Sequence, residues 1–227
     1  MKSQIHIIRV ITNLHVGSGK ADVGIIDNLI ERDAVTGLPV IYASGFKGAL
    51  RDYCTKDLGW KNEDIKLVFG SSPKDEAMEQ GKYRFFDCKL LGIPVATTEH
   101  PYVIATSKGV LDEFKFFTKA LGFDVAEDDL LKSIFGSTEI VKIFENKEFG
   151  ELCDDYHLPI MARNCMEEGK ENLWYEQVLP RESILYTIIQ SHDEKEEEYK
   201  FDKDLVVQIG ANASIGYGLC KISKLEI

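Results

Sequence analysis

The sequence contains no apolar run approaching the roughly 18 residues that a membrane-crossing helix needs. Its opening residues, Met1–Lys2–Ser3–Gln4–Ile5–His6, lack the continuous apolar core of a secretory signal. Both absences point to a cytoplasmic protein with no membrane partner. Cysteine is sparse: Cys54, Cys88, Cys153, Cys165 and Cys220 are scattered, odd in number, and form no C-x-x-C pair. That speaks against a zinc site or a disulfide framework and leaves free thiols in a reducing compartment. Positive charge is also in deficit, with 27 Lys and Arg against 38 Asp and Glu and a net charge of −11. Proteins that bind nucleic acid usually show a basic face, so composition alone argues against that class. Part of the acidity is local: Asp193–Glu194–Lys195–Glu196–Glu197–Glu198 reads as a solvated loop or helix face. Any nucleic-acid groove here requires local clustering of cations.

What is present suits one globular domain: 227 residues, 44% of them hydrophobic, enough to bury a core without staples. Gln4–Thr12 is β-branched and partly alternating and reads as a strand, followed by a glycine loop at Gly17–Gly19. Ile25–Arg32 is β-like, Thr36–Gly37 a turn, and Pro39–Tyr42 leads to a helix over Gly45–Asp57 capped by Ser44. Phe46, Leu50 and Tyr53 share one face of that helix. Ser71–Gly81 is a polar loop, and Tyr83–Leu91 and Tyr102–Thr106 are strands. Helices follow over Val110–Leu121, with Leu111, Phe114, Ala120 and Leu121 available to a core, and over Ala126–Phe135. Residues 139–175 are mixed and read as an insertion; Ile184–Gln190, Leu205–Ile209 and Tyr217–Ile227 are β-like. Strands at both ends with helices between predict α+β packing on an antiparallel sheet.

Three stretches invite a chemical reading. Gly17–Ser18–Gly19–Lys20 imitates the end of a phosphate-binding P-loop, but position 14 is leucine and Ala21 replaces the magnesium-binding hydroxyl, so nucleotide hydrolysis is rejected. Gln208–Gly218 is rich in glycine, yet only nine β-like residues follow it, which excludes a dinucleotide fold. Gly210, Gly216 and Gly218 let backbone N–H groups approach an anion; taken alone, the stretch reads as a turn between the last two strands. In Ser44–Arg51 a helix start is joined to Lys47 and Arg51 at i, i+4, a pattern that suits a phosphate and equally a solvated face.

Read in order, Leu14–His15–Val16–Gly17–Ser18–Gly19, Gly24–Ile25–Ile26–Asp27–Asn28, Thr36–Gly37–Leu38–Pro39–Val40–Ile41, Lys47–Gly48–Ala49–Leu50–Arg51 and Gln208–Gly218 resemble the RAMP superfamily of CRISPR RNA-binding proteins. Asn172–Leu173–Trp174–Tyr175–Glu176–Gln177–Val178–Leu179–Pro180 tips the likeness toward the repeated backbone subunit of type III-B (Cmr) effector complexes. The sequence departs from that pattern at Gly45, where the family usually has serine, at Ser214 for threonine, and at Tyr217 for a basic residue. The resemblance is clearest over residues 5–51, 83–95 and 172–222.

The resemblance implies a ferredoxin-like (RRM-like) palm with inserted finger and thumb elements. Residues 1–227 would form a single domain with its insertion at 139–175. Copies would stack head to tail on a guide CRISPR RNA and cut the paired target RNA at regular intervals. The implied cleavage residue is Asp27, which would also hold a divalent cation, Mg2+ or Mn2+; His15 and Glu176 are possible accessories. The implied RNA-binding residues are His15, Lys47, Arg51, Gly210, Ser214, Gly216, Tyr217 and Gly218. Implied partners are guide RNA, complementary target RNA, copies of itself, and other Cmr subunits including the large polymerase-like subunit and the small subunit. An ordinary aspartate is ionised at neutral pH and is a weak acid and base. It suits holding a metal or orienting a ribose 2′-OH better than moving protons. Two alternatives remain: a non-cleaving guide-RNA scaffold, and a metal-independent guide-processing endoribonuclease using His15.

Overall fold

The computed structural model describes residues 1–21, 25–72, 75, 78–123, 127–136, 140–167, 170–192, 201 and 203–226. The acidic run at 193–198 and Gly24 lie outside the described residues. The chain forms a mixed α+β structure on two sheets. Its elements begin with β1 (Lys2–Val10), β2 (Gly17–Ala21), β3 (Asn28–Ile30), β4 (Val40–Ile41), α1 (Ala43–Lys56) and α2 (Asn62–Phe69). They continue with β5 (Tyr83–Phe85), β6 (Cys88–Val95), β7 (Val103–Ser107), α3 (Lys108–Ala120), α4 (Glu127–Phe135), β8 (Val141–Phe144) and α5 (Asn146–Leu152). The last are β9 (Ile160–Glu167), β10 (Lys170–Gln177), β11 (Ile184–Ser191), β12 (Leu205–Gln208) and β13 (Leu219–Lys224).

The large sheet runs β12-β13-β1-β11-β6-β7-β8, with β4 added on β6 and β5 on β11. Its centre is β11, whose eight residues Ile184–Ser191 are all buried. A strand covered on both faces has no reason to alternate, which is why this segment reads as a nearly continuous apolar run. β1 pairs antiparallel with β11 on one side and with β13 on the other, joining the two ends of the chain. The second sheet is small, in the order β2-β3-β10-β9. Most pairings are antiparallel, as the sequence predicts; β7 with β8 and β3 with β10 are parallel.

The helices pack by their apolar stripes. α1 buries Phe46, Leu50 and Cys54, and α3 buries Val110, Leu111, Phe114 and Thr118. Phe114 meets Tyr186 of β11 edge-on, with ring centroids 4.7 Å apart. Phe69 of α2 stacks on Phe85 at 5.4 Å, and Phe201 closes edge-on over both.

Several local readings change. Gly17–Gly19 opens strand β2 instead of a loop, and α2 is an element the sequence reading did not name. Ala120 is exposed and takes no part in the core. The stretch 139–175 divides: β8 extends the large sheet, whereas β9 and β10 build the small one. Short strands such as β8, with a half-exposed pattern, carry too little periodicity to be read. Ser44 does not cap α1. The cap position is Tyr42, without a side-chain bond, and the Asp87 carboxylate accepts the Ala43 N–H at 2.7 Å. An acid from a distant segment thus takes the first N–H of the helix start that the sequence offers to a phosphate, and places a negative charge there.

Candidate functional site

The small sheet and the segment 209–218 meet at one place, and strand β10 organises it. Residues 174–177 hold four different groups. Trp174 lies opposite Arg163 in the β9–β10 register, and Glu176 is two residues further along the same face. That spacing brings Arg163, Trp174 and Glu176 together.

Glu176 is buried and its carboxylate is fully engaged. Oε1 accepts from the Trp174 indole N–H at 3.0 Å. Oε2 accepts from the Asn212 side-chain amide at 2.8 Å and pairs with Arg163 Nε at 2.6 Å. Burial pushes this carboxyl up. The Trp174 hydrogen bond, the Arg163 and His15 charges and the Asn212 hydrogen bond outweigh it, so the group lies below its ordinary range. Glu176 is therefore a fixed anion at neutral pH. All of its partners belong to the protein itself, and they hold it at the junction of β9, β10 and the glycine-rich segment.

The Arg163 guanidinium carbon sits over the Tyr217 ring, 4.6 Å from its centroid. One face of Tyr217 is thus already covered, and only the other is available to a base. Next along the strand, the Gln177 backbone carbonyl faces His15 Nδ1 at 2.7 Å. A carbonyl only accepts, so Nδ1 carries the hydrogen, and whenever the ring is uncharged Nε2 is its acceptor. His15 is buried, and its own carbonyl accepts the Ala211 N–H at 2.9 Å.

Asp27 stands exposed just before β3. Its backbone N–H donates to the Tyr175 carbonyl at 3.1 Å, and its Oδ2 accepts the Tyr175 N–H at 2.8 Å. The side chain replaces a ladder carbonyl, which fixes the carboxylate beside β10 while leaving the residue in solvent. Among the described residues no group of three or more His, Cys, Asp or Glu side chains gathers to hold a metal. Asp27 fits a divalent ion only as one ligand among water and substrate oxygens, the usual situation for magnesium.

The glycine-rich segment is the connection between paired strands β12 and β13, with a single 3-10 turn at Ala213–Ile215. Ser214 and Gly216 are exposed on it. Gly210 and Gly218 have φ of 77° and 76°, and a Cβ on either would run into a backbone carbonyl, that of His15 or of Ile209. Gly218→Ala is therefore expected to lower the melting temperature, because the left-handed backbone alone costs about 1–2 kcal/mol. It should also loosen the segment's hold on any bound ligand, which a binding titration beside the thermal melt checks.

A groove of about 490 Å³ lies between this segment and α1. Gly45, Gly48 and Ala49 line it on the helix side, and Ile209, Gly210 and Ala213 on the other. Where Gly45, Gly48, Ala49 and Gly210 line it, an extended backbone can approach closely; Tyr53 and Gln208 are the bulkier side chains of its wall. Asp52 and Asp57 also line it, further along the helix.

Lys47 and Arg51 are not among the residues lining this groove. Arg51 donates to the carbonyls of Gly70 and Ser71 beyond the C-terminus of α2, at 3.2 and 3.4 Å. Lys47 lies 6.0 Å from the Phe85 ring centroid, and burial followed by the Arg51 charge lowers its ammonium below the ordinary value. Their i, i+4 spacing is real, but Arg51 braces α2. Arg51→Ala should cost about 1–3 kcal/mol through lost charge-assisted hydrogen bonds, and chemical denaturation measures this directly.

The structure thus unites His15, Asp27, Glu176, Gly210, Tyr217 and Gly218 and sets Lys47 and Arg51 apart. Arg163 and Asn212 are site residues that sequence reasoning missed. Asn212 had a signal: it holds φ of 66°, a conformation asparagine tolerates better than most residues, within a glycine-rich turn. Arg163 had none, because only the β9–β10 register brings it opposite Trp174.

This fold and site define a class. The RAMP superfamily model matches residues 7–221, and the chain belongs to that superfamily. Among individual relatives, it is 26% identical to the CRISPR system Cmr endoribonuclease Cmr4 of Pyrococcus furiosus, across 100% of this chain and 97% of that protein. It is 28% identical to the CRISPR system Cms endoribonuclease Csm3 of Enterococcus italicus, over 64% of this chain and 78% of that one. A chain in the cryo-EM structure of the type III-B Cmr-beta complex bound to cognate target RNA superimposes with a TM-score of 0.78. That match has 20% identity and covers 99% of this chain and 98% of that chain. The crystal structure of oligomeric Cmr4 from Pyrococcus furiosus gives 0.73 at 20% identity, covering both chains completely. At that identity the two structures establish a shared fold.

Proposed function

We propose that this protein is the repeated backbone subunit of a type III-B CRISPR complex, holding guide RNA and cutting the paired target RNA at Asp27. The observation that carries the reading is the placement of Asp27: an exposed carboxylate held by Tyr175, beside strand β10, which also holds the glycine-rich segment. Membership of the superfamily and the likeness to named Cmr and Csm endoribonucleases support it. In this reading the large sheet with α1 and α3 is a ferredoxin-like palm, residues 1–227 are one domain, and the β9–β10 hairpin is a thumb. The cytoplasm is its compartment. Other copies, the large polymerase-like subunit and the small subunit of a Cmr complex are its protein partners.

Guide RNA lies along the groove between α1 and the glycine-rich segment, where Gly45, Gly48 and Gly210 let its sugar-phosphate backbone approach closely. Ser214, Gly216 and the open face of Tyr217 are the groups assigned to it, with His15 beneath. The target strand presents one ribose at Asp27. Its 2′-oxygen attacks the adjacent phosphorus, the P–O5′ bond breaks, and the 2′ proton ends on the departing 5′-oxygen. The products are a 2′,3′-cyclic phosphate and a free 5′-OH. Asp27 accepts a hydrogen bond from the 2′-OH and orients it. A Mg2+ or Mn2+ ion bound by Asp27 and phosphate oxygens would neutralise charge on the reacting phosphate. Most of the rate gain then comes from geometry supplied by the assembly.

The test is to purify the protein with its neighbours, extract bound RNA, and add a complementary target. A ladder of evenly spaced products ending in cyclic phosphate is the expected result. Bound guide without any cut would leave a scaffold, and trimming of the guide itself would favour the processing alternative.

A further inference from the structure

The proposed cleavage carboxylate and the glycine-rich segment are attached to consecutive residues of one strand. Tyr175 holds Asp27 through both its N–H and its carbonyl. Glu176, the next residue, holds Asn212 of the glycine-rich segment and Arg163 of β9. Gln177, the next again, holds His15, whose carbonyl receives Ala211 of the same segment. A β-strand moves as a unit over three residues, so displacement of the segment at Asn212 is carried to the neighbouring peptide that anchors Asp27. The connection is stiff for a physical reason. Glu176 is buried, its charge is matched by Arg163, and the Arg163 guanidinium sits over the Tyr217 ring. Breaking the pair would leave a charge desolvated and alone, so the contact stays closed or opens as a whole.

We propose that Glu176 is a positioning residue: through Asn212 on one side and strand β10 on the other, it registers the guide-holding segment against the Asp27 carboxylate. This rests on the function proposed above. Guide RNA seated on the segment fixes Asn212, Asn212 fixes Glu176, and the peptide at Tyr175–Glu176 sets the angle of Asp27. A complex with a poorly seated guide then holds target but cuts it slowly.

The experiment uses fully assembled complex with Glu176→Gln, Asn212→Gly, and both together, beside Asp27→Ala. Glycine keeps the left-handed backbone at 212 and removes only the amide, so this variant tests the contact without the folding risk of opening the buried pair. Guide content, target affinity and the single-turnover cutting rate at saturating target are measured. Each single variant is expected to keep guide and target binding and to cut about ten- to a hundredfold more slowly, the loss that small misplacement of a reacting group brings. The double variant should be no slower than the worse single one, since both break one connection. Wild-type turnover in either single variant overturns the proposal. So does loss of guide from Asn212→Gly, or independent, multiplying losses in the double. Asp27→Ala separates the two levels. If it cuts at the normal rate, the assignment of the cleavage site fails; if it is inactive while the other variants cut normally, only the coupling fails.

Discussion

A complex carrying Asp27→Asn in every copy is expected to bind guide and target normally and to leave the target intact. Asparagine preserves an acceptor for the Tyr175 N–H, so the local ladder survives while the negative charge disappears. Because Asp27 is exposed, the change in stability should stay within about 0.5 kcal/mol. The cutting rate should fall by at least about a hundredfold, the lower end of what one positioned polar group contributes at a reacting centre. Gel analysis of a labelled target, with filter binding of the same sample, makes the comparison. Cutting at the original rate would remove Asp27 from the site.

Removal of divalent cations is expected to have a comparable effect. Asp27 alone cannot hold a metal tightly, and no cluster of three or more candidate ligand residues gathers among the described residues. A metal that draws most of its ligands from water and RNA is weakly held and readily stripped. EDTA should therefore stop cutting while leaving guide RNA in place, and added Mg2+ or Mn2+ should restore it, since oxygen ligands suit both. Undiminished cutting in EDTA would shift attention to His15, whose Nε2 is the acceptor of the neutral ring.

The parts legible in the sequence were those with a repeating signal or a glycine. β1, β11 and β13 announced themselves by β-branched runs, and α1 and α3 by their apolar stripes. Gly210 and Gly218 had to be glycine, because of backbone sign and close approach to neighbouring carbonyls. What stayed hidden depends on register. Nothing local to Arg163 says that it will face Trp174, and nothing near Asp87 says that its carboxylate will cap a helix beginning 44 residues earlier. The i, i+4 pairing of Lys47 and Arg51 was correctly seen, but spacing along a helix does not tell which neighbour that face will meet. Glu176 was singled out as an acid without its three partners, Trp174, Asn212 and Arg163, two of which only the fold brings to it.

The pairing of β1 with both β11 and β13 has a consequence for synthesis. The first strand leaves the ribosome long before either neighbour exists. Ile5, Ile7, Ile8 and Val10, all buried in the finished protein, must wait until residue 184 and then residue 219 have emerged. During that interval the nascent chain carries an apolar strand with both edges open, the kind of segment that recruits unwanted partners. The same wiring ties competence to completion. The Asn13 and His15 carbonyls accept the Gly218 and Ala211 N–H groups, so the glycine-rich segment cannot take its shape against the start of the chain until residue 218 has emerged.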